Sequence, residues 1–300
     1  MAVINSSHFA YAMYPGIHKW WGGAYDEHTP EWPVVFEVNT STRAYEEEVG
    51  QTGFGLFNIK TEGGSISFDS QTQGFMKRYT HVTYALGFIV TREAYKDDLY
   101  NVVARRESKG LAFSARETEE WIHGNIFNRA VTAGYTGADG VVMLSASHPN
   151  KTGGTWDNLA SVDISEAALE QAAIDIGDWT TDRGLQISLS PKQLIIPTEL
   201  QFEVTRILES QLQPDTSENN INALRTMGVI PKVVVMHKIT DADAWFIQTN
   251  CPDGFKHFDR EKITFGVDND SDTHNAKYQA YFRTSCGYTD ARCVYGSMGA

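Results

Sequence analysis

The chain has 300 residues, 41% hydrophobic, 12% aromatic and 21% charged, which is the composition of a folded globular protein rather than of a disordered or disulfide-stapled one. With 25 Lys and Arg against 38 Asp and Glu the formal net charge is -13, which argues against a surface built to grip phosphate backbones or anionic lipid. The start has no basic segment followed by an apolar run, no apolar stretch is long enough to span a bilayer, and Cys251, Cys286 and Cys293 lack paired spacing. The expectation is a cytoplasmic setting, no membrane and reduced thiols.

Residues 1–50 carry Trp20, Trp21 and Trp32 among Pro15, Gly22, Gly23, Pro30 and Pro33, with no sustained period, and read as an extended arm. Aromatics on such a segment need a surface to pack on, either the rest of the chain or a neighbouring copy. In L-F-N-I-K-T-E-G-G-S-I-S-F-D-S, Gly63-Gly64 is the expected turn of a β-hairpin. Counting outward from it pairs Ile59 with Phe68 and Thr61 with Ile66, so that one face holds Ile59, Ile66 and Phe68 while Asn58, Lys60, Glu62, Ser67 and Asp69 take the other. A two-stranded hairpin with one greasy face is marginal in water and is expected to be clamped against another surface.

From Arg92 to about Thr132 there is no proline and good helix formers dominate, which predicts a long helix with a break near Gly110 and a stripe of Leu99, Val103, Leu111, Trp121, Ile122 and Ile126. At 1.5 Å per residue such a helix spans about 55 Å, too long for one compact domain to bury end to end. Ser165 reads as an N-cap, Thr198 and Gln201 as a capping box, and P-D-T-S-E-N-N-I-N-A-L as an exposed loop. Short β-rich runs follow from Val233 onward, separated by acidic loops.

Candidate chemistry is sparse. Ser145, Ser147 and His148 end a strand, but G-x-S-x-G is absent. Asp268, Asp270 and Asp272 open like a calcium loop, yet Thr273 and Gln279 stand where the glycine and the bidentate glutamate belong, which leaves a solvated acidic loop. The histidines show no metal spacing and no phosphate-cradling glycine motif occurs, so neither metal nor cofactor is expected. Arg105, Arg106 and Lys109 share their helix with an equal number of acids, which makes it a solvated face.

G-V-V-M-L-S-A-S-H-P-N-K-T-G-G-T-W-D-N-L (140–159), L-I-I-P-T-E-L (194–200), E-N-N-I-N-A-L (218–224) and I-T-D-A-D-A-W-F-I (239–247) resemble the major capsid proteins of tailed double-stranded DNA phages, the Hong Kong 97-like fold, and within it the Mu-type major head subunits. The resemblance implies an α+β chain: an N-terminal arm (1–50), an extended β-hairpin loop (51–91), a peripheral domain with a long spine helix (92–134), an axial α/β domain (135–238), and return strands to the peripheral domain (239–300). It implies a virion capsid protein that self-assembles into pentamers and hexamers of an icosahedral shell in the host cytoplasm. Its partners would be itself, a portal protein, separate scaffolding and decoration proteins, and packaged DNA held without sequence preference. It carries over no catalytic residue and no cofactor. Inter-subunit contacts are expected at Trp20, Trp21, Trp32, Ile59, Ile66 and Phe68. Two alternatives stand beside it: a bacterial encapsulin-like nanocompartment shell, separable by neighbouring genes, and a cytosolic α/β hydrolase using Ser147 or His148.

Overall fold

The computed structural model describes residues 10–91, 93, 100–212, 220–269 and 275–299. The start of the expected arm, most of 92–99, and residues 213–219 and 270–274, with much of the expected exposed loop and of the acidic loop, lie outside this set.

The first segment is not extended. Ala10–Glu27 form a helix, α1, despite Pro15, Gly22 and Gly23, and a short 3-10 turn follows at Trp32–Val34. The second long helix, α2 (Tyr100–Asn128), runs unbroken through Gly110. The two helices pack together against a four-stranded sheet, and this tertiary contact outweighs the poor helix propensity of α1. That sheet has the order β1-β11-β12-β4, made of β1 (Glu37–Thr40), β4 (Val82–Val90), β11 (Phe255–Asn269) and β12 (Ala276–Tyr288). The inner face of α2 is built from small residues, Ala104, Ser108, Ala112 and Ala115, with Leu111, His123 and Phe127, while Trp121 points outward. The expected stripe is therefore rotated, because alanines let the neighbours approach closely and bulky residues would hold them apart.

A five-stranded sheet forms the second unit, in the order β7-β13-β10-β8-β9, from β7 (Leu159–Ala160), β8 (Pro191–Ile196), β9 (Val233–Val235), β10 (Trp245–Thr249) and β13 (Val294–Ser297). Both of its faces are buried, which explains the unbroken apolar runs L-I-I and W-F-I. Ile195, Phe246 and Val294 face one core with Phe127 and Trp32. Leu194, Ile196, Trp245, Ile247 and Tyr295 face a second, covered by α3 (Glu166–Asp178), α4 (Gln201–Glu209) and α5 (Ala223–Met227).

The helix ends divide. Ser165 caps α3 as expected, its Oγ accepting from the Ala168 N–H at 3.2 Å. The Thr198 capping box does not form, since Leu200 is the residue at the α4 N-cap and no side chain caps it. Asn222, expected in an exposed loop, is fully buried: its Oδ1 accepts from the Arg225 N–H at 3.1 Å and its Nδ2 donates to the Ile207 carbonyl at 2.6 Å.

Candidate functional site

The feature that stands apart from both sheets is the segment between β2 (Tyr45–Gln51) and β3 (Gln73–Thr80), two strands that pair only with each other among the described residues. Beyond them residues 52–72 continue as two arms without a regular ladder. At the base, the Thr52 N–H donates to the Thr72 carbonyl at 3.2 Å and the Gly55 N–H to Asp69 Oδ2 at 2.9 Å. Arg183, from the five-stranded unit, donates to Asp69 Oδ1 at 3.2 Å and to the Ser70 carbonyl at 2.5 Å. Hydrogen bonds from the Gly55 and Ser70 N–H groups, with Arg183 adding its charge, hold the Asp69 carboxyl below the usual carboxylate range. The loop is thus tied at its root and free beyond it.

At the tip the Gly64 N–H donates to the Thr61 carbonyl at 3.0 Å, and only Gly63, at φ +75°, takes the left-handed conformation. The turn is centred on Glu62-Gly63, not Gly63-Gly64, and has the single positive φ at its third residue that favours glycine there. Pairing accordingly shifts by two residues. Asn58 Nδ2 reaches Ser67 Oγ at 3.3 Å, so Ile59 stands opposite Ile66 and Phe57 opposite Phe68. A shift of two leaves each side chain on its expected face, because the pleat repeats every two residues. Ile59 is 98% exposed, Phe68 95% and Ile66 65%. Phe57, which the sequence reading missed, is 99% exposed. Its place two residues before Ile59 was the signal available.

The tryptophans differ. Trp21 and Trp32 are 5% and 7% exposed inside this chain, which corrects the expectation that they are inter-subunit contacts. Trp21 stacks on Phe265 and Tyr25 at 5.4 and 5.1 Å, and Trp32 lies flat on His123 at 4.1 Å. Trp20 is half-buried with the Arg105 guanidinium 5.7 Å over its ring. The reason is that the arm folds as a helix, carrying Trp20 and Trp21, and a 3-10 turn, carrying Trp32, with α2 and the sheet for partners.

The Ser147–His148 pair is not assembled for catalysis. The His148 side chain is fully buried, bonded through Nδ1 to Asp139 at 2.6 Å and through Nε2 to Asn158 Oδ1 at 3.0 Å, and stacked on Trp156. Asn158 Nδ2 in turn donates to the carbonyls of Met143, Ala291 and Val294. The segment 140–159 is a structural knot between the two cores. A second buried pair, His123 Nε2 and His257 Nδ1 at 3.0 Å, lies under Trp32. Among the described residues no group of His, Cys, Asp or Glu could hold a metal ion, and no helix is long and apolar enough to cross a membrane.

Several solved structures share this fold. The chain is similar to the protein of Microbacterium phage Oxtober96, at 11% identity and a TM-score of 0.56, covering 91% of this chain and 92% of that one. The procapsid of bacteriophage JBD30 gives 13%, 0.52, and coverage of 97% and 75%. A virus-like particle from Pyrococcus furiosus gives 10%, 0.51, and coverage of 94% and 98%. The shared property is the α+β, Hong Kong 97-like fold. No curated protein matches the chain. The family described as phage capsid protein matches residues 75–297, and the chain belongs to that family.

Proposed function

We propose that the chain is the major capsid subunit of a tailed phage of the Mu type, assembling in the host cytoplasm into pentamers and hexamers of an icosahedral shell that encloses double-stranded DNA. The observation that carries the reading is the hairpin, with Phe57, Ile59, Ile66 and Phe68 exposed at the end of a root-anchored loop. Two arms of about ten residues reach roughly 30 Å from their root, which carries the tip away from its own cores. A side chain such as Phe57 has no use there in a monomer and finds one on the next copy, a head-to-tail contact that closes into rings.

On this reading residues 1–50 are the arm, 51–91 the extended loop, 92–134 the peripheral domain with its spine helix α2, 135–238 the axial domain and 239–300 the return strands, except that β4 joins the four-stranded sheet and that β10 and β13, within 239–300, belong to the five-stranded one. Contacts between subunits are made by Ile59, Ile66 and Phe68 with Phe57. A portal protein and separate scaffolding and decoration proteins are the further partners, and DNA is held without sequence preference. Electron microscopy of the concentrated full-length protein tests the reading. Rings, capsomers or shells are expected, and persistent monomers under every assembly condition would overturn it.

A further inference from the structure

Arg260 and Arg283 are the two arginines on β11 and β12 where the ladder is irregular. Asp259 pairs with Thr284, but Glu261 pairs with Arg283, so Arg260 is the extra residue of a β-bulge opposite Arg283. A bulge of this kind bends its strand and re-aims a side chain, which brings the two guanidinium stems to one place on the sheet. Both residues are half-buried, and both Nε atoms are buried without a hydrogen-bond partner. Among the described residues neither makes an ion pair, although the chain carries 38 Asp and Glu.

None of the acids nearby pairs with either arginine. Glu46 accepts from Ser41 Oγ at 2.7 Å and pairs with Arg43 at 3.9 Å, Asp259 is bonded to His257 at 2.9 Å, and Glu261 is exposed with no ion pair to either arginine. Between them His81 is held by Ser41 Oγ and Ser285 Oγ, each at 3.0 Å. Burial above all lowers the His81 pKa, and both arginines reach it: Arg283 lowers it further, Glu46 opposes, and Arg260 lowers it more weakly.

We infer that the Arg260–Arg283 bulge, with His81 behind it, is a binding site for a phosphoryl group. Two guanidinium forks approaching from two strands supply two positive charges and paired N–H donors, which match the tetrahedrally arranged oxygens of a phosphate or phosphodiester better than the two coplanar oxygens of a carboxylate. The ligand is free phosphate or a phosphate of a nucleic-acid backbone. The inference does not depend on shell assembly.

The test is a calorimetric titration of the full-length protein with inorganic phosphate, and with acetate at matched ionic strength. Saturable phosphate binding is expected, about tenfold weaker in Arg260→Gln and in Arg283→Gln and partly restored in Arg283→Lys, with no saturation by acetate. The thermal transition of the wild type should rise with phosphate and not with acetate, a readout that does not depend on any variant folding. A short DNA duplex that displaces the phosphate assigns the site to nucleic acid, and one that does not assigns it to the free ion. Equal binding of acetate, which would mark a carboxylate of another subunit as the occupant, or phosphate binding unchanged in both variants, would overturn the inference.

Discussion

At the scale of single residues, two glycines of α2 that look alike in the sequence have opposite meanings. A Cβ at Gly124 would lie 2.6 Å from Lys238 Cβ and 3.0 Å from the Lys238 carbonyl, so Gly124→Ala must push the loop before β10 off the helix. A loss of about 1–3 kcal/mol in denaturant unfolding is expected. A Cβ at Gly110 meets nothing within 4 Å, and Gly110→Ala should gain about 0.5–1 kcal/mol by stiffening the unfolded chain and favouring the helix. His123 gives a pH signature. Burial above all, with the neighbouring His257 adding to it, pushes its pKa down to about 3. The unfolded chain takes up this proton below about pH 6.5 and the folded chain does not, so stability falls as pH falls between those values, by about 2 kcal/mol at pH 5. In His123→Phe the loss of unfolding free energy between pH 8 and pH 5 should shrink by about that amount. An unchanged pH slope would show that His123 is protonated in the fold.

Whole elements pose a different question, since the hairpin is held at one end only. Replacing Phe57, Ile59 and Phe68 together by serine removes side chains that touch no core, so the thermal transition of the subunit should stay in place while assembly, followed by light scattering, is lost. A large drop in the transition would show that the tip packs on its own chain. At the root, Arg183→Ala releases Asp69 and the Ser70 carbonyl. Trypsin should then cut after Lys60 faster than in the parent, with other sites unaffected.

Across the whole molecule, the two sheets are joined less by a linker than by shared side chains. Phe127, Trp32 and Phe255 meet Phe246 and Val294 in one core, and Asn158 ties the 143–158 segment to the chain before β13. Asn158→Ala strands three carbonyls and the His148 imidazole at once. It should cost about 3 kcal/mol or more and lower a single unfolding transition rather than split it. Two separate transitions would mean that the halves fold independently.

The parts that rest on local repetition were legible in the sequence. Alternation put Ile59, Ile66 and Phe68 on one face, which a pairing shift of two residues leaves unchanged, and a hydroxyl at Ser165 before an apolar helix made a cap. The β-rich run of β10 marked a strand, though not that both its faces are covered. What depends on partners distant in the chain was not legible. Trp21 and Trp32 have the same side chain as Trp20, yet only the packing of α1 and of the following 3-10 turn on α2 and the sheet decided that those two are buried at home. Propensity made Gly110 a break and Asn222 a loop residue, and a packed helix and a buried cap overrode it. The sequence by itself determined which residues are apolar and with what period. Only the tertiary structure decided which of those surfaces the chain covers itself, because burial is settled by contacts between segments far apart in the chain, and it left the hairpin tip exposed.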